Sequence, residues 1–150
     1  MRALRFLMIF SLAGILIGCN DPNPPEANDD INYSMISTNS SINQTAANQA
    51  KESLRQRDDI TAIHAVNTDN KMILAFEIKH HKRFQLADLN KKIQKQLDEE
   101  FPDLDVEVSA DKKLVLELKS LEKKINDRDI SAKKLTKEVD RLINLKKDKT

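Results

Sequence analysis

Residues 72–78 alternate. Met72, Leu74, Phe76 and Ile78 fall on one side of an extended chain, with Lys71, Glu77 and Lys79 on the other; Ile73 and Ala75 are exceptions on that second side. Successive side chains of a strand point to opposite faces, so this stretch reads as a strand with one well-buried face. From Gln85 the period changes. Leu86, Leu89, Ile93 and Leu97 recur at steps of three and four, which predicts a helix over 85–100 with Lys91, Lys92, Lys95, Asp98 and Glu99 on its wet side. Phe101 and Pro102 end it, because the residue before proline disfavours the α region. Strand and helix must therefore share one small body.

The remaining elements follow from the same two periods. Ile60 to Val66 is rich in β-branched and small side chains and precedes the polar turn Asn67 to Asn70, giving a β-hairpin with the alternating strand. In DLDVEVS, Leu104, Val106 and Val108 alternate with Asp103, Asp105 and Glu107, a third strand with one buried and one wet face. Ala47, Ala50 and Leu54 predict a short helix with a thin apolar face. Ser109 and Asp111 are N-cap candidates for a helix carrying Leu114, Leu118, Leu121 and Ile125. Leu135, Val139 and Leu142 mark a last helix. Its register continues that of Ile125 through Arg128 and Ala132, so one long helix or a coiled-coil arm fits the count. The cluster Asn126, Asp127, Asp129 and Ser131, with Arg128 on the seam, favours two helices. The predicted fold is α+β, a small three-stranded sheet packed by helices in the order α-β-β-α-β-α-α. The helices are expected to cover one sheet face and leave the acidic face of the third strand in water. Such a small core predicts modest stability.

Ahead of this body stands MRALRFLMIFSLAGILIGC. Arg2 and Arg5 form a basic start, and the apolar run Phe6 to Ile17 is shorter than the roughly 20 residues of a spanning helix. It fits the hydrophobic region of an export signal, with the small Gly18 at the cleavage position. LIGC, Leu16 to Cys19, resembles the lipobox of bacterial lipoproteins. In that family the cysteine thiol takes a diacylglyceryl group with palmitate-type chains and becomes the new N-terminus. Two acyl chains give stable anchoring where one is marginal. Cys19 is the lone cysteine, so no intramolecular disulfide can form. The expected organisation is a signal peptide at 1–18, a lipid-anchored disordered tether at 19–43, the α+β domain at 44–126 and a C-terminal helix at 127–150.

The tether expectation rests on composition. NDPNPPEANDDINYSMISTNSSIN is dominated by Asn, Ser, Pro and Asp without apolar periodicity, and residues 20–50 contain no Lys or Arg. As a coil it would span roughly 30 Å. The last forty residues carry 13 basic and 8 acidic side chains. That net of +5 lacks any accompanying aromatic stripe, and nucleic acid is not an expected partner. The same basic helices could touch anionic headgroups.

Chemistry-bearing constellations are sparse. His80 and His81 are adjacent and point to opposite sides of an extended chain, and no carboxylate stands at ligand spacing from them or from His64. HHKR reads as a solvated loop and His64 as a sheet-edge residue. Asp103, Asp105 and Glu107 could serve acid/base work or hold calcium, but read more simply as a solubilising face. Ser109 with Asp111 is a cap before it is a nucleophile. Gly14 and Gly18, the chain's two glycines, both lie in the leader, which excludes a glycine-rich phosphate loop. No metal, cofactor or catalytic residue is expected, and an enzyme is not.

Several segments together resemble the sporulation lipoproteins of endospore-forming bacteria, the YhcN/YlaJ type. They are LIGC, the Asn-rich tether, AIHAVNTDNKMILAFEI, LADLNKKIQKQL and FPDLDVEVSAD. The likeness covers roughly residues 45 to 125, and the hairpin glycine expected in that family is replaced by Asp69 and Asn70. The resemblance implies a lipoprotein on the extracytoplasmic side of a spore membrane, the inner one, acting in germination or outgrowth through protein partners without catalysis. The element order is also similar to BON-type envelope modules, which implies a phospholipid- or wall-binding alternative.

Overall fold

The computed structural model describes residues 31–37 and 42–148. The elements are α1 (Thr45–Arg55), β1 (Ile60–Asn67), β2 (Lys71–Ile78), a 3-10 helix (His80–Gln85), α2 (Leu86–Glu100), β3 (Asp105–Ser109), α3 (Lys112–Asn126) and α4 (Ala132–Lys147). This is the expected α+β order. The sheet runs β1-β2-β3, with β2 central, antiparallel to β1 and parallel to β3. Among the described residues no helix is long and apolar enough to cross a membrane.

Both sheet faces are covered, which corrects the expectation of one. Against the first face, Ala47, Ala50 and Leu54 of α1 and Leu89, Ile93 and Leu97 of α2 pack on Ile63, Met72, Leu74, Phe76, Val106 and Val108. Against the second, Leu114, Leu118 and Ile125 of α3 and Leu135, Val139 and Leu142 of α4 pack on Val66, Ile73 and Ala75. Ile73 and Ala75, exceptions to the alternation of β2, are thus the floor of a second core. Each fully buried aliphatic side chain there contributes about 1.5–3 kcal/mol. The acidic row of the third strand is divided: Asp103 and Asp105 are exposed, as expected, whereas Glu107 is not left in water. The Glu107 carboxylate, half-buried, meets Lys146 and Lys147 at the end of α4, and Lys71 Nζ reaches Asp140 of α4 at 2.7 Å.

α3 and α4 are separate helices. Asp111 accepts from the backbone N–H groups of Lys113 and Leu114 at 2.8 and 3.2 Å and starts α3, and Ser131 starts α4. Between them Arg128 adopts φ 60°. Its N–H donates to Ile125 O at 3.1 Å, and the Asp129 N–H donates to Lys124 O at 2.8 Å. These paired bonds form a Schellman motif, whose left-handed position glycine usually fills. α4 packs in the same core as α3, so the domain continues through 127–147. The hairpin loop Thr68 to Asn70 contains no positive φ. It closes through the Thr68 N–H on Lys71 O at 2.8 Å and the Lys71 N–H on Thr68 Oγ1 at 3.1 Å, so Asp69 and Asn70 serve where glycine was expected.

The body also reaches further toward the N-terminus than the composition of the tether suggests. Asn32 forms a parallel bridge to Ala62, and Ile36 is buried against α3 and α4. Asn48 of α1 accepts from the Ile36 N–H at 2.9 Å and donates to Ile36 O at 2.8 Å. The Ser37 N–H donates to Asn126 at 2.8 Å. Hydrogen bonds, the buried Ile36 and the partly buried Ile31 and Tyr33 hold this polar segment, a pattern without helical or strand periodicity.

Candidate functional site

An edge strand carries a row of N–H and C=O groups that need partners. On β1 the 31–37 segment takes the first of them. The Asn32 N–H donates to Thr61 O at 2.8 Å and the Ile63 N–H to Asn32 O at 3.1 Å. Further along, the Asn67 N–H donates to Gln44 Oε1 at 3.0 Å, and Gln44 Nε2 donates to Asn67 O at 2.6 Å. Asn67 Oδ1 in turn accepts from the Ala47 N–H at 3.0 Å, satisfying one of the orphan donors at the start of α1. Between these two clasps lies the Ala65 N–H, which donates to Glu122 Oε1 of α3 at 3.1 Å.

Glu122 is the centre of a buried charge cluster. Lys51 Nζ of α1 donates to Oε1 at 2.8 Å, and His64 Nδ1 of β1 lies 2.6 Å from Oε2. Lys51, Glu122 and His64 are 0, 1 and 2% exposed. A carboxylate only accepts, so Nδ1 carries the imidazole proton toward it. Lys51 Nζ also donates to Ser34 O at 2.5 Å, tying the N-terminal segment to the same point. Burial lowers the Lys51 pKa from its ordinary 10.5, although the Coulombic pull and hydrogen bond of Glu122 act to raise it. Taking these charges out of water costs several kcal/mol per ion, offset only where pairing and hydrogen bonding are complete. Here one carboxylate of α3 receives a cation from α1 and an imidazole and a backbone amide from β1.

The arrangement works as a clamp. Surface depressions lie beside Arg57 and Lys79, beside Phe76 and Arg83, beside Lys137 and Arg141, and beside Gln85 and Asp88. None of their walls includes Lys51, His64 or Glu122. Through their hydrogen bonds its members hold α1, β1, α3 and the 31–37 segment together.

Of the residues singled out in the sequence, Gly18 and Cys19 lie outside the described residues. His64 sits on the edge strand as expected, but buried and bonded. His80 and His81 are exposed on the 3-10 helix. Asp111 caps α3, and Ser109 Oγ accepts from the Asp111 N–H at 3.1 Å. Burial pushes the Glu107 carboxyl up, and Lys146 with Lys147 outweigh it, holding its pKa below the ordinary 4.5. Among the described residues no three His, Cys, Asp or Glu side chains gather into a metal-holding group. Lys51 and Glu122 were not singled out, yet the pattern marks them. Ala47, Ala50, Lys51, Leu54 and Leu118, Leu121, Glu122, Ile125 are both i, i+3, i+4, i+7 faces in which one place is charged. Compared with known proteins, the chain matches no family, no curated protein and no solved structure.

Proposed function

We propose that this protein is a membrane-anchored lipoprotein of the spore envelope, carried by acyl chains on Cys19 and acting without catalysis, through protein contacts that support germination or outgrowth. One observation carries the reading: a basic start, a short apolar run, a small residue and the lone cysteine follow one another in MRALRFLMIFSLAGILIGC. The sporulation assignment rests on the resemblance of the hairpin, the LADLNKKIQKQL helix and FPDLDVEVSAD to that lipoprotein family. Engagement of the buried Lys51, His64 and Glu122 with one another is in keeping with a scaffold role.

Mass spectrometry of the native protein, with fractionation of dormant spores and vegetative cells, tests the proposal. A diacylated Cys19 at the mature N-terminus and enrichment in spore membranes are expected, with Cys19→Ala left as precursor or mislocalised. An unmodified thiol or an uncleaved N-terminus overturns the anchor. Equal abundance throughout vegetative growth overturns the spore assignment.

A further inference from the structure

The 3-10 helix leaves an apolar ring in water. Phe84 is 81% exposed, and it closes the run Lys79, His80, His81, Lys82, Arg83, which contains no acid. Among the described residues Lys79, Lys82 and Arg83 stand in no ion pair. Asp58 and Asp59 line a depression with Lys79, His81 and Lys82, Asp59 being engaged by Arg57 at 3.3 Å, and Glu77 lines another with Arg83. Glu77 and Asp88 flank the run in sequence. An exposed aromatic ring beside unpaired cations matches the chemistry of an anionic bilayer surface, where rings settle at headgroup depth and cations meet phosphate.

The path of the chain gives a second, independent reason. Asn32 runs parallel to β1 beside Thr61 and Ile63, so Ile31 lies toward the Ile60 end of the sheet. Ile60 pairs with Ile78, and the next residue, Lys79, donates its N–H to Asp59 O at 3.0 Å. The N-terminal segment therefore joins the domain at the same pole that displays Phe84. Residues 19–30 are twelve, and twelve residues reach at most about 40 Å. An anchor on Cys19 would keep this pole close to the lipid.

We infer that Lys79, Lys82, Arg83 and Phe84 form a docking patch for an anionic phospholipid surface, seating the domain against the membrane that holds its anchor. The argument from chain length rests on the anchored reading; the argument from Phe84 and its cations does not.

The chain contains no tryptophan, so Phe84→Trp gives a single tryptophan at an exposed position, excited selectively over Tyr33. The full-length mature variant is placed in vesicles of phosphatidylglycerol and phosphatidylethanolamine, or of phosphatidylcholine alone, with brominated acyl chains as quenchers. Blue-shifted and quenched emission in the anionic vesicles alone is expected, weakened by salt. Lys82→Gln and Arg83→Gln should each reduce the docked-to-free ratio about fivefold. Emission that stays water-like while the protein floats with the vesicles overturns the patch and leaves the anchor standing. A protein that does not float overturns the anchor, and the same emission read at saturating anionic vesicles then decides the patch. Shielding from water without bromolipid quenching means a protein covers Phe84, which also overturns the proposal.

Discussion

The two edges of the sheet are closed by different chemistry. On β3, Gln94 of α2 does the work with a neutral amide: Nε2 donates to Val106 O at 2.7 Å and Oε1 accepts from the Val108 N–H at 3.0 Å. On β1, closure needs the 31–37 segment, Gln44 and the ionised Glu122, which itself needs Lys51 and His64. An amide that bridges a strand is self-sufficient. A buried carboxylate commits the chain to a cation from a distant helix, and with it to one arrangement of several elements. The β3 edge is thus a local solution, and the β1 edge is one that holds only when α1, α3 and the N-terminal segment are all in place.

Glu122→Gln should separate the two edges most strongly. It leaves the Lys51 ammonium buried without its counter-charge, and a loss of about 3–5 kcal/mol in urea unfolding is expected. The double variant Lys51→Met/Glu122→Gln should recover much of that loss. If the single and double variants are equally destabilised, the charge pair is not the organising term. A smaller effect is expected with pH. The folded Lys51 pKa lies below its ordinary 10.5, so between those two values the unfolded chain binds more protons and stability rises with pH. Below the folded value the cost of charging Lys51 is fully present; above 10.5 it is gone. Lys51→Met should remove that alkaline rise, read as the difference from the parent chain, because Lys71 and Lys123, hydrogen-bonded to Asp140 and Asp127, titrate above 10.5 and act in the opposite sense.

Gln94→Ala should cost about 1–3 kcal/mol, from two strand groups left without their amide partner. Hydrogen exchange should quicken at Val108 and leave Ala65 unchanged, and quickening at both would mean that the edges are not independent. Least of all, Arg128→Gly should stabilise by about 1 kcal/mol, since glycine takes the left-handed cap without the cost of a Cβ. The added protection should reach Glu122, one turn back along α3, before it reaches β3.

Much of this architecture was legible. Period two in 72–78 and 104–108, and steps of three and four in 86–97 and 114–125, located the strands and helices because each buries one face on its own terms. The second core was less visible, because Ile73 and Ala75 look like faults in an alternation until a second helical layer is known to cover them. The clamp was harder still. Lys51 and Glu122 lie 71 residues apart, and only the charged place in each apolar face hinted that the two should meet. The closures by Gln44 and Gln94, and the seating of 31–37, left no sequence signal, since a side chain bonded to distant backbone has no period.

The parallel run of Asn32 beside β1 has a mechanical consequence. A pull on the chain from its N-terminal side, along the strand axis, loads the Asn32–Thr61 and Asn32–Ile63 bonds in shear, with the Lys51–Ser34 and Asn48–Ile36 contacts behind them in series. Tension would meet this short stitch before it reached the sheet interior.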